Sequence, residues 1–151
     1  MNINKMKSIF AKLDEINYAL LHHYEEIIGH NLTPKQALVL EHVHRHSTLL
    51  VSELASKMNV TPGAISQLLA KLEQQQYIVR SINPKSRREI FVTLGKKGTD
   101  LYQAYEKVDQ KIVDKYYSKL SPGVIDQFEY AVNKLHAIVR SEKGSDYDGL
   151  E

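Results

Sequence analysis

Ala55, Asn59 and Ile65, spaced four and six apart, constrain this chain more than any other feature. A helix-turn-helix needs a small residue where its two helices touch and a residue able to turn left-handed between them. It also needs a branched apolar residue in the second helix facing the first. The three residues meet these demands in order, with Leu54, Met58, Val60 and Leu68 as the packing set. Asparagine at the turn costs little, because its short polar side chain is the next best choice after glycine at positive φ. The spacing predicts a short helix over Ser52–Met58 and, after the Thr61-Pro62 cap-and-proline start, a second over Gly63–Gln75. Winding the second helix at 100° per residue puts Ile65, Leu68, Leu69 and Leu72 on one face and Gly63, Gln67, Ala70, Lys71 and Gln74 on the other. The outer face is free to enter a major groove. Thr61, Pro62, Gly63, Ser66, Gln67 and Lys71 are therefore the expected major-groove residues.

The helical period stops at Tyr77. Ile78–Ile82 and Glu89–Leu94 are rich in β-branched and apolar residues, and the polar, proline-containing Asn83–Arg88 separates them. This reads as a β-hairpin with a basic tip. A stable core has no use for Lys85, Arg87 and Arg88 there, whereas the negative potential of a minor groove attracts them. Between Thr61 and Lys97 seven basic residues face only Glu73 and Glu89, a local excess of five in a chain of net charge +2. Helix, helix and basic hairpin in that order predict a winged helix that binds DNA.

Long amphipathic helices flank this unit. Met6, Phe10, Leu13, Ile16, Leu20, Tyr24 and Ile27 recur at helical spacing, predicting one helix over Ile3–Ile28 that Gly29 stops. Thr33-Pro34-Lys35-Gln36 has the makings of a capping box and opens a helix to His46, and Leu49–Val51 can form a very short strand. After Gly95 a helix carries Leu101, Tyr105, Val108, Ile112 and Tyr116; a last one, opened by Ser121-Pro122, carries Ile125, Phe128, Val132, Leu135 and Val139. The stripe on the first helix is longer than a winged-helix core can cover, and the last adds to it, so a homodimer is expected. The predicted fold is mainly α with a small β-hairpin wing, a winged helix-turn-helix with long N- and C-terminal dimerisation helices. It forms one domain over 1–151: dimerisation helices at 1–29 and 99–141, a DNA-binding lobe at 33–98 and a frayed acidic tail at 142–151.

No apolar run approaches the roughly 18 residues of a membrane span, and the polar start Met1–Lys7 lacks a secretory signal, so a cytoplasmic location is expected. With no cysteine, disulfides, thiolate metal sites and thiol-based sensing are excluded. No nucleophile motif, phosphate loop or paired metal carboxylates stand at recognisable spacing, so neither an enzyme nor a cofactor is expected.

Leu32–Leu40, Ser52-Glu53-Leu54-Ala55, Thr61–Ser66 and the strand from Arg87-Arg88 to Leu94, in this order, resemble the MarR (multiple antibiotic resistance regulator) family of bacterial transcription regulators over nearly the whole chain. The resemblance implies a triangular helical dimer with one wing per subunit, its first and last two helices pairing about a two-fold axis. A two-fold dimer that sets two recognition helices in successive major grooves is expected to bind a double-stranded, imperfectly palindromic operator. The resemblance also implies that Arg88 is the minor-groove arginine. The protein would then be a repressor relieved by a small aromatic or phenolic effector in a crevice between dimer helices and DNA-binding lobe. Four positions depart from the family pattern. Ser86 and Asn83 replace frequent aspartates, Ser86 the one that orients the wing arginine. Gly95 replaces a capping threonine, at a cost of roughly a few tenths of a kcal/mol. Gln76 replaces the glycine that usually ends the recognition helix, which is then expected to end without a left-handed residue.

Two alternatives stand beside this reading. A winged helix can bind protein instead of DNA, although the basic tip favours DNA. The other is a metal-responsive regulator of the same fold, because His42 and His46 lie one helical turn apart like ligands on a shared face, with Glu26, His22 or His23 as further ligands. The plainer reading leaves both histidines on a solvated helix face, with no metal. Tyr18, Tyr24, Tyr102 and Tyr105 are similarly read as core more readily than as a ligand site.

Overall fold

The computed structural model describes residues 2–28 and 32–142, so Gly29 and the acidic tail beyond Glu142 lie outside the described residues, as do the side chains of Glu26, Ile28 and Glu142. The chain runs α1 (Ile3–Leu21), a 3-10 turn (His22–Tyr24), α2 (Glu25–Ile28), α3 (Pro34–His46), β1 (Leu49–Leu50), α4 (Val51–Lys57) and α5 (Pro62–Gln74). Then follow β2 (Ile78–Asn83), β3 (Ser86–Leu94), α6 (Lys96–Lys115), a second 3-10 turn (Tyr117–Lys119) and α7 (Pro122–Glu142).

Local chemistry sets the helix starts. At the head of α3 the Thr33 hydroxyl accepts from the Gln36 amide at 3.2 Å while Gln36 Oε1 accepts from the Thr33 amide at 2.9 Å, a reciprocal capping box. Glu53 reaches back to the Leu50 amide at 2.7 Å and starts α4. Thr61 accepts from the Ala64 amide at 3.2 Å, with Pro62 in the first turn of α5 where a missing N–H costs nothing.

The chain divides into two compact units. One comprises Leu32–Tyr102 with the described part of Leu120–Glu151. Its sheet is antiparallel in the order β1-β3-β2, so the very short β1 completes the hairpin through Leu49↔Val92. Val39, Leu40 and Val43 of α3, Leu54 of α4, Ile65, Leu69 and Leu72 of α5, and Val92 of β3 are buried, forming the core beneath the helix-turn-helix. Asn59 takes φ 50° at the turn, as its place in the motif requires.

Three expectations within this unit are corrected. α5 does end left-handed: Gln76 itself adopts φ 64°. Its amide bonds Glu73 O, and the Tyr77 amide bonds Leu72 O, both at 2.9 Å, the paired bonds of a Schellman ending. The last carbonyls are thereby satisfied although glycine is absent. Gly95 is not a weakened cap but a necessity, because a Cβ there would lie 2.5 Å from the Gln76 carbonyl oxygen. The hairpin is also longer than expected. Asn83 pairs with Ser86 and Ile82 with Ile90, so Pro84 and Lys85 alone form the tip while Arg87, Arg88 and Glu89 bulge out of β3. Neither tip residue has positive φ, and a turn of that kind splays the strands unless a bulge restores their twist.

His42 is corrected too. It is buried, not solvated, because the inner face of α3 is broad enough to take in positions 36, 39, 40, 42 and 43. Its Nε2 has no hydrogen-bond partner among the described residues. His46 remains exposed, its Nδ1 2.8 Å from the His42 carbonyl oxygen.

The other unit comprises the described part of Met1–Asn31 with Gln103–Lys119. The single helix expected over Ile3–Ile28 tightens at His22–Tyr24 into a 3-10 turn. That turn is held by side chains on both flanks: His23 Nε2 lies 2.9 Å from the Tyr116 hydroxyl, and the Tyr24 hydroxyl donates to Asp109. Burial and the Asp109 carboxylate push the Tyr24 hydroxyl up to about 12, so it stays a donor. Tyr105 packs against Tyr24, whereas Tyr18 is 82% exposed and belongs to no core. No helix among the described residues is long and apolar enough to cross a membrane.

Candidate nucleic-acid interface

α5 is anchored by Ile65, Leu69 and Leu72, with Leu68 half-buried, and this leaves Gly63, Ser66, Gln67, Ala70, Lys71 and Gln74 exposed on its other side. The face that the 3.6-residue period assigned to a groove is therefore the free face of the folded chain. Thr61 and Pro62 stand at its N-terminal end, where the Thr61 hydroxyl oxygen is occupied by the Ala64 amide. Thr61 thus has its hydroxyl proton to offer a partner, not a fully unengaged side chain.

The wing sits against α5 through a link that sequence patterning gave no reason to suspect. Arg80 on β2 donates from Nε and Nη2 to Glu73 Oε2 at 3.0 and 2.7 Å, and its amide donates to Glu73 Oε1 at 2.9 Å. These bonds hold the Glu73 carboxyl below the usual carboxylate range. Arg80 and Glu73 thus neutralise each other, and the local excess of five basic charges rests on Lys71, Lys85, Arg87, Arg88, Lys96 and Lys97 against Glu89. Of these, Lys96 pairs with Asp100 at 2.8 Å on α6.

Asn83 organises the tip. Its Oδ1 accepts from the Lys85 amide at 3.0 Å, closing a side-chain turn, and its Nδ2 donates to Glu89 at 2.6 Å. An aspartate here could close the same turn but could not donate to Glu89. The departure at position 83 thus matches the acidic residue at position 89. Lys85 remains at the tip, while Arg87 and Arg88 leave from the bulge, and all three are exposed. The structure brings the predicted wing residues together on one arm and the predicted groove residues along one helix face. His42 and His46 acquire no third ligand: among the described residues no three His, Asp or Glu side chains gather as a metal site would require.

Comparison with known proteins agrees with this geometry. The MarR family model matches residues 32–90. The HTH-type transcriptional repressor MdtR of Bacillus subtilis is 32% identical over 111 residues, covering 74% of this chain and 72% of that protein. The chain belongs to the MarR family. The crystal structure of Bacillus subtilis YusO shares the MarR-type fold at 28% identity, with a TM-score of 0.66 over 91% of this chain and 98% of that one. Streptococcus pneumoniae FabT, solved in complex with DNA, superposes with a TM-score of 0.68 at 17% identity, covering 93% and 99% of the two chains. MarR proteins are transcription regulators, and this chain has their winged helix-turn-helix.

Proposed function

We propose that the protein is a homodimeric, sequence-specific DNA-binding repressor. The observation that carries this reading is the paired presentation of a free polar helix face and a basic wing, joined by the Arg80–Glu73 link. α5 reads base edges in the major groove through Ser66 and Gln67, with Thr61, Pro62, Gly63 and Lys71 beside them. Lys85, Arg87 and Arg88 engage the minor groove and its phosphates. The lobe at 33–98 binds DNA, and the helices within 1–29 and 99–141 pair two copies. In support, no described side chain of α1 or α7 is buried, and Phe10, Phe128 and Leu135 are each at least half exposed. The two-fold dimer places its helices in successive major grooves, roughly 34 Å apart, so the operator is an imperfect palindrome. Repression fits the MdtR relative, and its relief by a small aromatic or phenolic effector rests on family membership alone.

Selection of binding sequences from random duplexes tests DNA binding and supplies the operator together. On that operator, Arg88→Ala is expected to weaken specific and random duplexes alike and to lower the salt slope by about one counterion. Gln67→Ala is expected to cost roughly 1 to 3 kcal/mol on the operator alone. A selection that enriches nothing, or an Arg88→Ala protein with unchanged slope and random-duplex affinity, refutes the reading.

A further inference from the structure

Ile82 and Ile90 form a directly paired, branched apolar couple near the end of the wing, and Ile82 is 63% exposed. Strand alternation puts Arg80 and Ile82 on one face of β2, and the pairs Arg80↔Val92 and Ile82↔Ile90 put Val92 and Ile90 on that same face. Two neighbours fix where the face looks. Val92 is fully buried in the lobe core, and the Arg80 side chain reaches Glu73 on α5. Ile82 and Ile90 therefore continue the wing's inner face, roughly 7 Å beyond that link, on the side of the recognition helix.

We propose that this couple is an apolar wall that packs against the deoxyribose of the strand passing between α5 and the wing. The inference rests on the DNA-binding reading above. Charge complementarity identifies the occupant: the exposed Lys85, Arg87 and Arg88 all lie in the segment that joins Ile82 to Ile90, so what lies against the couple is a polyanion with apolar edges. A sugar–phosphate strand has that character, presenting C–H surface between its phosphates. A 2′-hydroxyl at that place would lose water against isoleucine and find no partner, so the wall favours deoxyribose over ribose. The contact displaces no counterion and adds nothing to the salt slope.

The test uses the full chain with the duplex recovered by selection and with random-sequence duplex. Ile82→Asn is expected to weaken both by about five- to tenfold, with an unchanged salt slope, whereas Ile82→Leu stays within about twofold. Single ribonucleotides scanned along one strand should weaken the wild type at one or two adjacent positions and leave Ile82→Asn indifferent there. Should Ile82→Asn melt early, Ile82→Thr keeps the branched strand residue and carries the same expectation. Equal binding by wild type and variant overturns the proposal, as does a slope that falls along with affinity. Unchanged DNA binding with weakened self-association in sedimentation also overturns it, by assigning the couple to a protein contact. A wild type that binds no duplex fails the parent reading instead, and Arg88→Ala then has no effect either.

Discussion

The core beneath the helix-turn-helix and the pair of helices α1 and α7 contrast in how they dispose of apolar surface. In the former, Leu54, Ile65, Leu69, Leu72 and Val92 are completely buried by neighbours from the same chain. Along α1 and α7 the apolar residues recur just as regularly, yet none is buried. Periodicity alone therefore says that a face must be covered, not by what. The core is satisfied within one chain, while each of the two helices leaves apolar surface that the proposed homodimer would cover.

Breaking that contrast begins with α7. Phe128→Asp places a charge in the proposed interface, and a two-fold dimer carries it twice. The dimer dissociation constant should rise by at least about 100-fold in sedimentation equilibrium, with the secondary structure of the monomer intact by circular dichroism. A wild type already monomeric at micromolar concentration would remove the contrast altogether. In the core, Leu69→Ala is expected to cost about 3 kcal/mol in urea unfolding, because the cavity it leaves is closed on all sides.

His42 sharpens the same point with a smaller effect. Burial, then the positive charges of Lys57, His46 and Arg45, hold its imidazole below the ordinary value of 6.5. Its folded form resists a proton that the unfolded chain accepts, so stability falls as pH drops below about 6.5. His42→Leu should flatten the dependence of the urea midpoint on pH between roughly 7 and 5; an unchanged profile would mean that His42 is not the responsible group. The smallest effect concerns the end of α5. Gln76→Gly relieves a left-handed non-glycine residue and should raise stability by roughly 0.5 to 1 kcal/mol, visible as a shift in Tm.

Much of this was legible in the residues. The caps at Thr33 and Thr61, the left-handed Asn59 and the buried row of α5 follow from local rules, because each depends on neighbours within a few positions. The Arg80–Glu73 link was not, since it joins a helix to a strand and no period relates them. Burial of His42 escaped because polarity suggested solvent, while the width of the inner face of α3 is set by tertiary packing. At Gln76 and Gly95 each residue looked like a loss when judged alone; the close approach of the Gln76 carbonyl to Gly95 shows one junction. The wing's bulge was hidden for a related reason: Arg87-Arg88 reads as turn until the register of Ile82 with Ile90 is known.

The link between Arg80 and Glu73 makes a caliper of α5 and the wing, the two elements proposed to contact DNA. Both side chains are about two-thirds buried, and the carboxylate is held ionised well below neutral pH, so the gap between helix and wing is set before any duplex arrives. A hand that closes can adapt to its object; a caliper can only compare. On the proposed DNA-binding reading, the energy of misfit falls on the nucleic acid, and sequences whose grooves reach the preset opening with least deformation should be preferred even at base pairs no side chain touches.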